Sequence, residues 1–233
     1  MTSQARPDPR EMPLYTAAEA AHYVRLPAST VRAWAFGQAY SGADGQRRWF
    51  EPVIAVADRK ARRLSFINLV EILVLAAIRK KHRVPLPTVR RAMQYLRRKF
   101  PTEHPLADTD FQTNGVDLFV EKFGEVLNIS REGQLEMKQL IRAYLQGVER
   151  DSKGIPIKLF LPSRDAKAQH PTRVVIDPSR GFGRPVVDGV GVRTEVVVER
   201  FKAGEPIASL CKDYALGPEV IEDVIRSELP LAA

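Results

Sequence analysis

Nucleophiles, acids and metal ligands come first, because their spacing declares many enzymes. The four histidines, His22, His82, His104 and His170, are widely separated, and no cysteine or acidic pattern surrounds them. No H-E-x-x-H, G-x-S-x-G or P-loop pattern occurs, so zinc hydrolysis, serine acyl transfer and P-loop phosphate chemistry lack their signatures. In "GVGVRT" only Gly189 and Gly191 match a dinucleotide fingerprint, no third glycine follows, and no βαβ unit surrounds it. One cysteine, Cys211, excludes an intramolecular disulfide and any multi-cysteine metal site, and reads as a small buried residue. The expectation is a protein that is not an enzyme and uses no metal or cofactor.

The chemistry this chain does offer is cationic. Its formal net charge is +8 and its pI about 9.7, which points to an acidic partner. Residues 1–100 hold 19 Lys and Arg against 7 Asp and Glu, whereas residues 101–170 and 171–233 each carry a net −2. Nucleic-acid binding is therefore expected in the first hundred residues.

The elements that must position those cations are legible locally. In "YTAAEAAHYVRLPASTVRAWAFG" (15–37), Thr16 and Glu19 form a capping box before a short helix lined by Ala17, Ala20, Ala21 and Val24. "RLPA" breaks it, and Ser29 is expected to cap a second helix. Two short helices joined by a tight turn present the second helix to a major groove. "WFEPVIAV", "ADRKARR" and "LSF" then read as a hairpin whose tip carries Arg59, Lys60, Arg62 and Arg63, with Arg47 and Arg48 just before it. Such a basic wing grips phosphates beside the groove. "FINLVEILVLAAI" is interrupted by Asn68 and Glu71, so it reads as a buried core helix and not a membrane span. A further helix, "PTVRRAMQYLRRKF", buries Val89, Ala92, Met93, Leu96 and Phe100 and turns its arginines outwards.

These stretches, "YTAAEAAHYVRLPASTVRAW" and "RLSFINLVEILVLAAIRKKHRVPLPTVRRAM", resemble the MerR-type winged-helix family. The resemblance implies Ser29, Thr30 and Arg32 at the groove and the basic wing on the backbone. Arg25 stands where that turn usually has glycine, in a left-handed position that strains other residues. The long coiled coil and effector domain of such regulators do not follow residue 100.

In the middle, "DLFVEKFGEVLNI" alternates and reads as short antiparallel strands turning at Phe123-Gly124. The segment "REGQLEMKQLIRAYLQGVERD" reads as an amphipathic helix ended by Gly154, with Leu135, Leu140, Ile141, Tyr144, Leu145 and Val148 near one face. "IPIKLFLP" reads as a strand. Towards the C-terminus, helices at 194–202, 206–214 and 218–228 are expected to form a three-helix core with Phe201 and Leu210 in it. The last two make a helix–turn–helix, yet its second helix carries Glu219, Glu222, Asp223 and Glu228, the wrong sign for DNA.

"VVIDP", "FGRPV", "GVGVRT", "ERFKAGE", "DYAL" and "VIEDVIRSE" resemble the small domain of VapB-type antitoxins, with Ala215 where the pattern usually has glycine. The middle and N-terminal segments are similar to those of the longer members. The resemblance implies binding to a PIN-type ribonuclease toxin and repression of the protein's own operon. Because an arginine fork pairs with carboxylates, Arg180, Arg184 and Arg193 are the candidate toxin-binding residues.

The expected architecture is α+β and mostly helical. It comprises a disordered arm (1–12), a winged-helix DNA-binding domain (13–103), a small α/β module (108–163) and a helical antitoxin domain (171–229). Expected partners are operator DNA, a PIN-type toxin and a second copy in a homodimer, since a palindrome is read by a two-fold dimer. No membrane is expected. The N-terminus lacks the apolar stretch of a signal peptide, which predicts a cytoplasmic protein. The alternative is a MerR-like regulator with a ligand-sensing middle and C-terminal region and no toxin partner.

Overall fold

The computed structural model describes residues 8–42, 44–82, 86–99, 102–108, 115–127, 130–162 and 172–228. Residues 1–7 of the expected arm and 163–171 of a second expected linker lie outside them. The fold is α+β and mostly helical. Two compact units divide the chain: Met1–Gln146 with Arg150–Pro156, and Gly147–Glu149 with Ile157–Ala233. Residues 108–163 are thus distributed between the two. No described helix is long and apolar enough to cross a membrane.

The first unit begins with α1 (Ala17–Val24) and α2 (Ala28–Phe36). The capping box is present: Glu19 N–H donates to Thr16 Oγ1 at 3.1 Å, and Thr16 N–H to Glu19 Oε2 at 2.8 Å. Small buried residues, Ala17, Ala20 and Ala21, let α2 cross α1 closely. The expected cap at Ser29 is corrected: Pro27 is the N-cap of α2, with no side-chain hydrogen bond. Proline supplies a fixed φ there, and Ser29 is left exposed in the first turn.

The hairpin also lies elsewhere than expected. β1 (Gln38–Ser41) and β2 (Arg47–Phe50) pair antiparallel, from Gln38↔Phe50 to Ser41↔Arg47. The segment 51–57 is irregular, and 58–63 is a separate turn closed by an Asp58↔Arg63 bridge. The helix α3 (Phe66–His82) supplies the core with Phe66, Leu69, Val70, Ile72, Leu73 and Leu75. Its two polar interruptions have defined tasks. Asn68 Oδ1 accepts from the N–H groups of Ala57 and Ser65, and its Nδ2 donates to Ala55 O, so Asn68 staples the chain just ahead of the basic turn. Glu71 is fully buried, 2.9 Å from His104 Nδ1.

The helix α4 (Leu86–Lys99) buries Val89, Ala92, Met93 and Leu96 as expected; Phe100 lies outside the described residues. Its arginines are not all solvated. Arg97 donates to Val53 O at 2.9 Å, and Arg90 to Glu51 O at 2.5 Å with its guanidinium 5.3 Å from the Phe50 ring centroid.

The strands expected after residue 115 are instead a helix, α5 (Val116–Leu127), packed on α4 and on α6 (Arg131–Leu145). Val116, Phe119 and Val120 are buried at helical spacing, and one run of apolar residues satisfied both periods. Gly124 is no turn: a Cβ there would lie 2.4 Å from the Gln134 amide, so glycine admits the side chain that crosses from α6. α6 ends earlier than expected, and Val148 belongs to a strand. Leu135, expected inside, is exposed, while Met137, Ile141 and Leu145 face inwards. His104, Leu106 and Ala107, expected in a linker, pack against the unit, as do residues 8–12 of the arm through Arg10, which pairs with Asp8 and Asp151.

The second unit holds most of a sheet in the order β3 (Val148–Arg150), β4 (Pro156–Phe160), β5 (Val174–Ile176), β6 (Pro185–Val187). β5 pairs antiparallel with β4 and with β6. Three helices follow: α7 (Thr194–Lys202), α8 (Ile207–Tyr214) and α9 (Pro218–Glu228). Their core is Val197, Val198, Leu210, Ile221, Val224 and Ile225, packed in part on β6. Two expectations change: Phe201 is largely exposed, and Cys211 is only half-buried.

Candidate nucleic-acid interface and partner surface

In the first unit the turn between α1 and α2 sets the direction of α2. Arg25 is left-handed (φ 58°, ψ 52°), its N–H donates to Ala21 O, and Leu26 N–H donates to the same oxygen at 3.0 Å. Val31, Trp34 and Ala35 anchor α2, so Ser29 and Arg32, three residues apart on one face, are exposed, with Thr30 partly so. Gly37 (φ 81°) ends α2. A Cβ there would lie 2.5 Å from Phe50 O and 2.7 Å from Trp49, so glycine lets the hairpin start directly beside the helix. Tyr40 stacks on Phe50 at 4.0 Å between centroids and stiffens the hairpin.

The expected DNA contacts fall into three groups. Ser29, Thr30 and Arg32 lie on α2. Arg47 and Arg48 lie on β2, exposed, with Arg48 paired to Asp44 at 2.7 Å. Arg59, Lys60, Arg62 and Arg63 lie on the 58–63 turn, where Ala61 N–H donates to Asp58 Oδ1 at 2.8 Å. The structure joins two of these groups, because the Arg62 guanidinium sits 4.7 Å from the Phe36 ring centroid at the end of α2. Arg63 turns inward, donating to Leu14 O at 3.4 Å and lying 4.0 Å from Glu19. Arg32, Arg47, Arg59 and Lys60 are exposed and form no ion pair among the described residues. Sequence reasoning missed Trp49, half-exposed on β2 between Arg48 and Phe50; an aromatic directly after two arginines was its only signal.

The second unit repeats the turn. Ala215 is left-handed (φ 53°, ψ 42°), and its N–H and that of Leu216 donate to Cys211 O. The carboxylates of α9 are largely engaged within the unit. Asp223 accepts from Thr172 Oγ1 at 3.1 Å, Glu228 from the buried Thr194 Oγ1 at 2.5 Å, and Glu222 from Arg226 at 2.6 Å. Glu219 folds back over Gly217 at the helix N-terminus, where negative charge is favoured. The acidic face thus has structural work that accounts for its sign.

The three arginines singled out for a toxin lie around one loop. Arg180 and Arg184 flank a 3-10 turn, Gly181–Gly183, and Arg193 precedes α7. The Arg180 side chain is exposed, 3.6 Å from Asp177; Arg193 pairs with Glu195 at 2.8 Å. The nearly buried Asp177 carboxylate holds the loop by accepting from Ser179 N–H at 2.8 Å. Among the described residues no group of three or more His, Cys, Asp or Glu is placed to hold a metal ion.

A basic helix–turn–helix with a hairpin, and a second helix–turn–helix whose carboxylates are tied up internally, define a helix–turn–helix protein of the DNA-binding class. The family model described as "Putative DNA-binding HTH domain" matches residues 13–93, and that described as "Protein of unknown function (DUF433)" matches 174–226. The chain is 31% identical to "Putative antitoxin VapB45" of Mycobacterium tuberculosis, over 92% of this chain and 93% of that one. It is 25% identical to "Uncharacterized protein Rv2308" of the same organism, over 91% and 88%. The crystal structure of Rv2018 from Mycobacterium tuberculosis matches at 27% identity with a TM-score of 0.65, covering 92% of this chain and 97% of that one. The chain belongs to the VapB-type antitoxin family, in the long form with an N-terminal helix–turn–helix domain.

Proposed function

We propose that the chain binds its operator through residues 13–103 and a PIN-type ribonuclease toxin through residues 171–229, neutralising the toxin and repressing the shared operon. One observation carries this reading: the two helix–turn–helix motifs have divided their chemistry. The first presents Ser29, Arg32, Arg47, Arg59 and Lys60 outwards, while the second turns its carboxylates to internal partners. On the toxin side, Arg180, Arg184 and Arg193 oppose the carboxylates with which such nucleases bind metal. The DNA-binding species is a homodimer, as a palindromic operator requires.

Co-purification with the product of the adjacent gene, followed by a gel shift on the shared promoter, tests both halves. Toxin capture together with a promoter-specific shift is expected. A shift without toxin capture would instead support the regulator reading. One observation favours that second reading: the first unit has an open cavity of about 400 Å3 bounded by Glu11, Ile67, His104, Asp108 and Ile155, a volume suited to a small ligand.

A further inference from the structure

Phe182 is the most exposed large hydrophobic residue described, with 91% of its surface open to solvent. It is also left-handed (φ 54°, ψ 36°), between Gly181 (φ 55°) and Gly183 (φ 73°). Left-handed backbone disfavours a residue with a Cβ, and glycine would sit there without strain. A phenylalanine at this position therefore adds backbone strain and gains no burial within the chain. Strain that the fold does not use is the mark of a functional position.

Backbone hydrogen bonds fix the main chain of the loop that carries the ring. Arg180 N–H donates to Asp177 O, Gly183 N–H to Arg180 O, and Arg184 N–H to Gly181 O, each at 3.0 Å. Gly181 is backed closely, since a Cβ there would lie 2.8 Å from Val186 Cγ1 and 3.7 Å from Arg193 Cγ. An aromatic side chain has only two rotatable bonds, so it loses little freedom on binding for the area it buries, and aromatic residues anchor interfaces for that reason. Its surroundings state the partner's charge. Residues 172–195 contain Arg173, Arg180, Arg184 and Arg193 against Asp177, Asp188 and Glu195, and Asp177 is nearly buried.

We infer that Phe182 is the anchor of the protein interface of this unit: its ring fills an apolar pocket on an acidic partner, and the exposed Arg180 pairs with a carboxylate at the pocket rim. This rests on the reading that the second unit contacts the toxin, and it adds an aromatic contact beside that arginine. Basic flanks disfavour a second copy of this loop as the occupant.

The test uses the full chain and the purified product of the adjacent gene. Affinity is measured by titration calorimetry for wild type, Phe182→Ala and Phe182→Gly, with a thermal melt of each. Both variants are expected to lose at least about 30-fold in affinity, as hot-spot truncations do. Phe182→Gly is expected to melt about 2–4 °C higher than wild type, because the strain is relieved. A Phe182→Gly chain that melts lower, or variants that bind as tightly as wild type, would overturn the assignment. So would variants that keep toxin affinity but change self-association in sedimentation. If wild type itself fails to bind, the toxin reading falls and the anchor falls with it.

Discussion

Arg25 and Ala215 close two helix–turn–helix motifs in the same way: each is the left-handed C-cap of the first helix, at φ 58° and 53°, and a leucine follows each. In each motif two successive N–H groups converge on one carbonyl, Ala21 O or Cys211 O. The turn geometry survives without glycine at both positions. We expect Ala215→Gly to raise stability by about 1 kcal/mol, the strain of the left-handed state less the added chain entropy of glycine. Arg25→Gly should yield less, because Arg25 has further interactions to lose. Urea denaturation of the full chain measures both; a loss of stability for Ala215→Gly would remove the strain argument.

The Glu71–His104 pair makes the first unit sensitive to pH. Burial raises the pKa of Glu71, against the hydrogen bond from His104. Burial pulls His104 down, but the hydrogen bond and charge of Glu71 outweigh it, and its pKa ends above the ordinary 6.5. Both shifts mean that the folded state holds protons more tightly than the unfolded chain. The resulting stability is complete below the unfolded values and is lost as pH rises through the folded ones. For His104 that loss sets in above about pH 6.5. A urea midpoint that falls from pH 6 to 9 in wild type and falls less in Glu71→Gln is the expected result; equal slopes would contradict it. At pH 7, His104→Ala should cost about 3 kcal/mol, since a buried carboxylate loses its partner.

On DNA, Arg32→Ala should weaken operator binding by about 1–3 kcal/mol and relax specificity at the base it reads. Neutralising Arg59, Lys60, Arg62 and Arg63 together should weaken all sequences alike. Each phosphate contact contributes about 0.9 to the salt slope, yet the expected reduction is nearer 2 than 4. Arg63 is committed to Leu14 O and Arg62 lies against Phe36, which leaves Arg59 and Lys60 as the free cations of the turn among the described residues. Binding isotherms over a range of salt decide this, and an unchanged slope would take the turn out of the interface.

Arg200 ties α7 to α8, reaching Glu205, Asp213 and Tyr214 Oη, and its pKa is raised by those hydrogen bonds, Glu205 foremost. A lysine has one ammonium and cannot reproduce the planar fork. Arg200→Lys is expected to lower the melting temperature, with a smaller deficit at 1 M salt than at low salt, since exposed pairs are screened. A deficit that does not change with salt would point to lost packing instead.

Where a signal was local, it was legible. The Thr16–Glu19 capping box, the helix breaks near Arg25 and Ala215, and the helix at 194–202 rest on residues within one or two turns of each other, so their patterns carry over directly. The charge map likewise needs no coordinates. Illegible were the features set by distant partners. Residues 116–127 satisfy both an alternating and a helical period, and packing on α4 and α6 chose the helix. The hairpin moved upstream because strand pairing is decided by the Gln38↔Phe50 register and by Gly37's close approach to Trp49, neither visible in a β-rich run at 49–56.

By itself, then, the sequence determined the two helix–turn–helix motifs and the placement of the basic excess in the first hundred residues. Hydrogen bonding to the nearest neighbours and net charge are properties of short segments. Only the tertiary structure decided what each charge and ring is free to do. Asp223 and Glu228 are engaged by Thr172 and Thr194 from 51 and 34 residues away. Arg63 is turned inward by Leu14 O, 49 residues upstream. Phe182, which composition would count as core, is carried to the surface by a loop whose hydrogen bonds leave its ring no apolar neighbours to join. Exposure is settled by long-range packing, and that packing decides which residues can meet a partner.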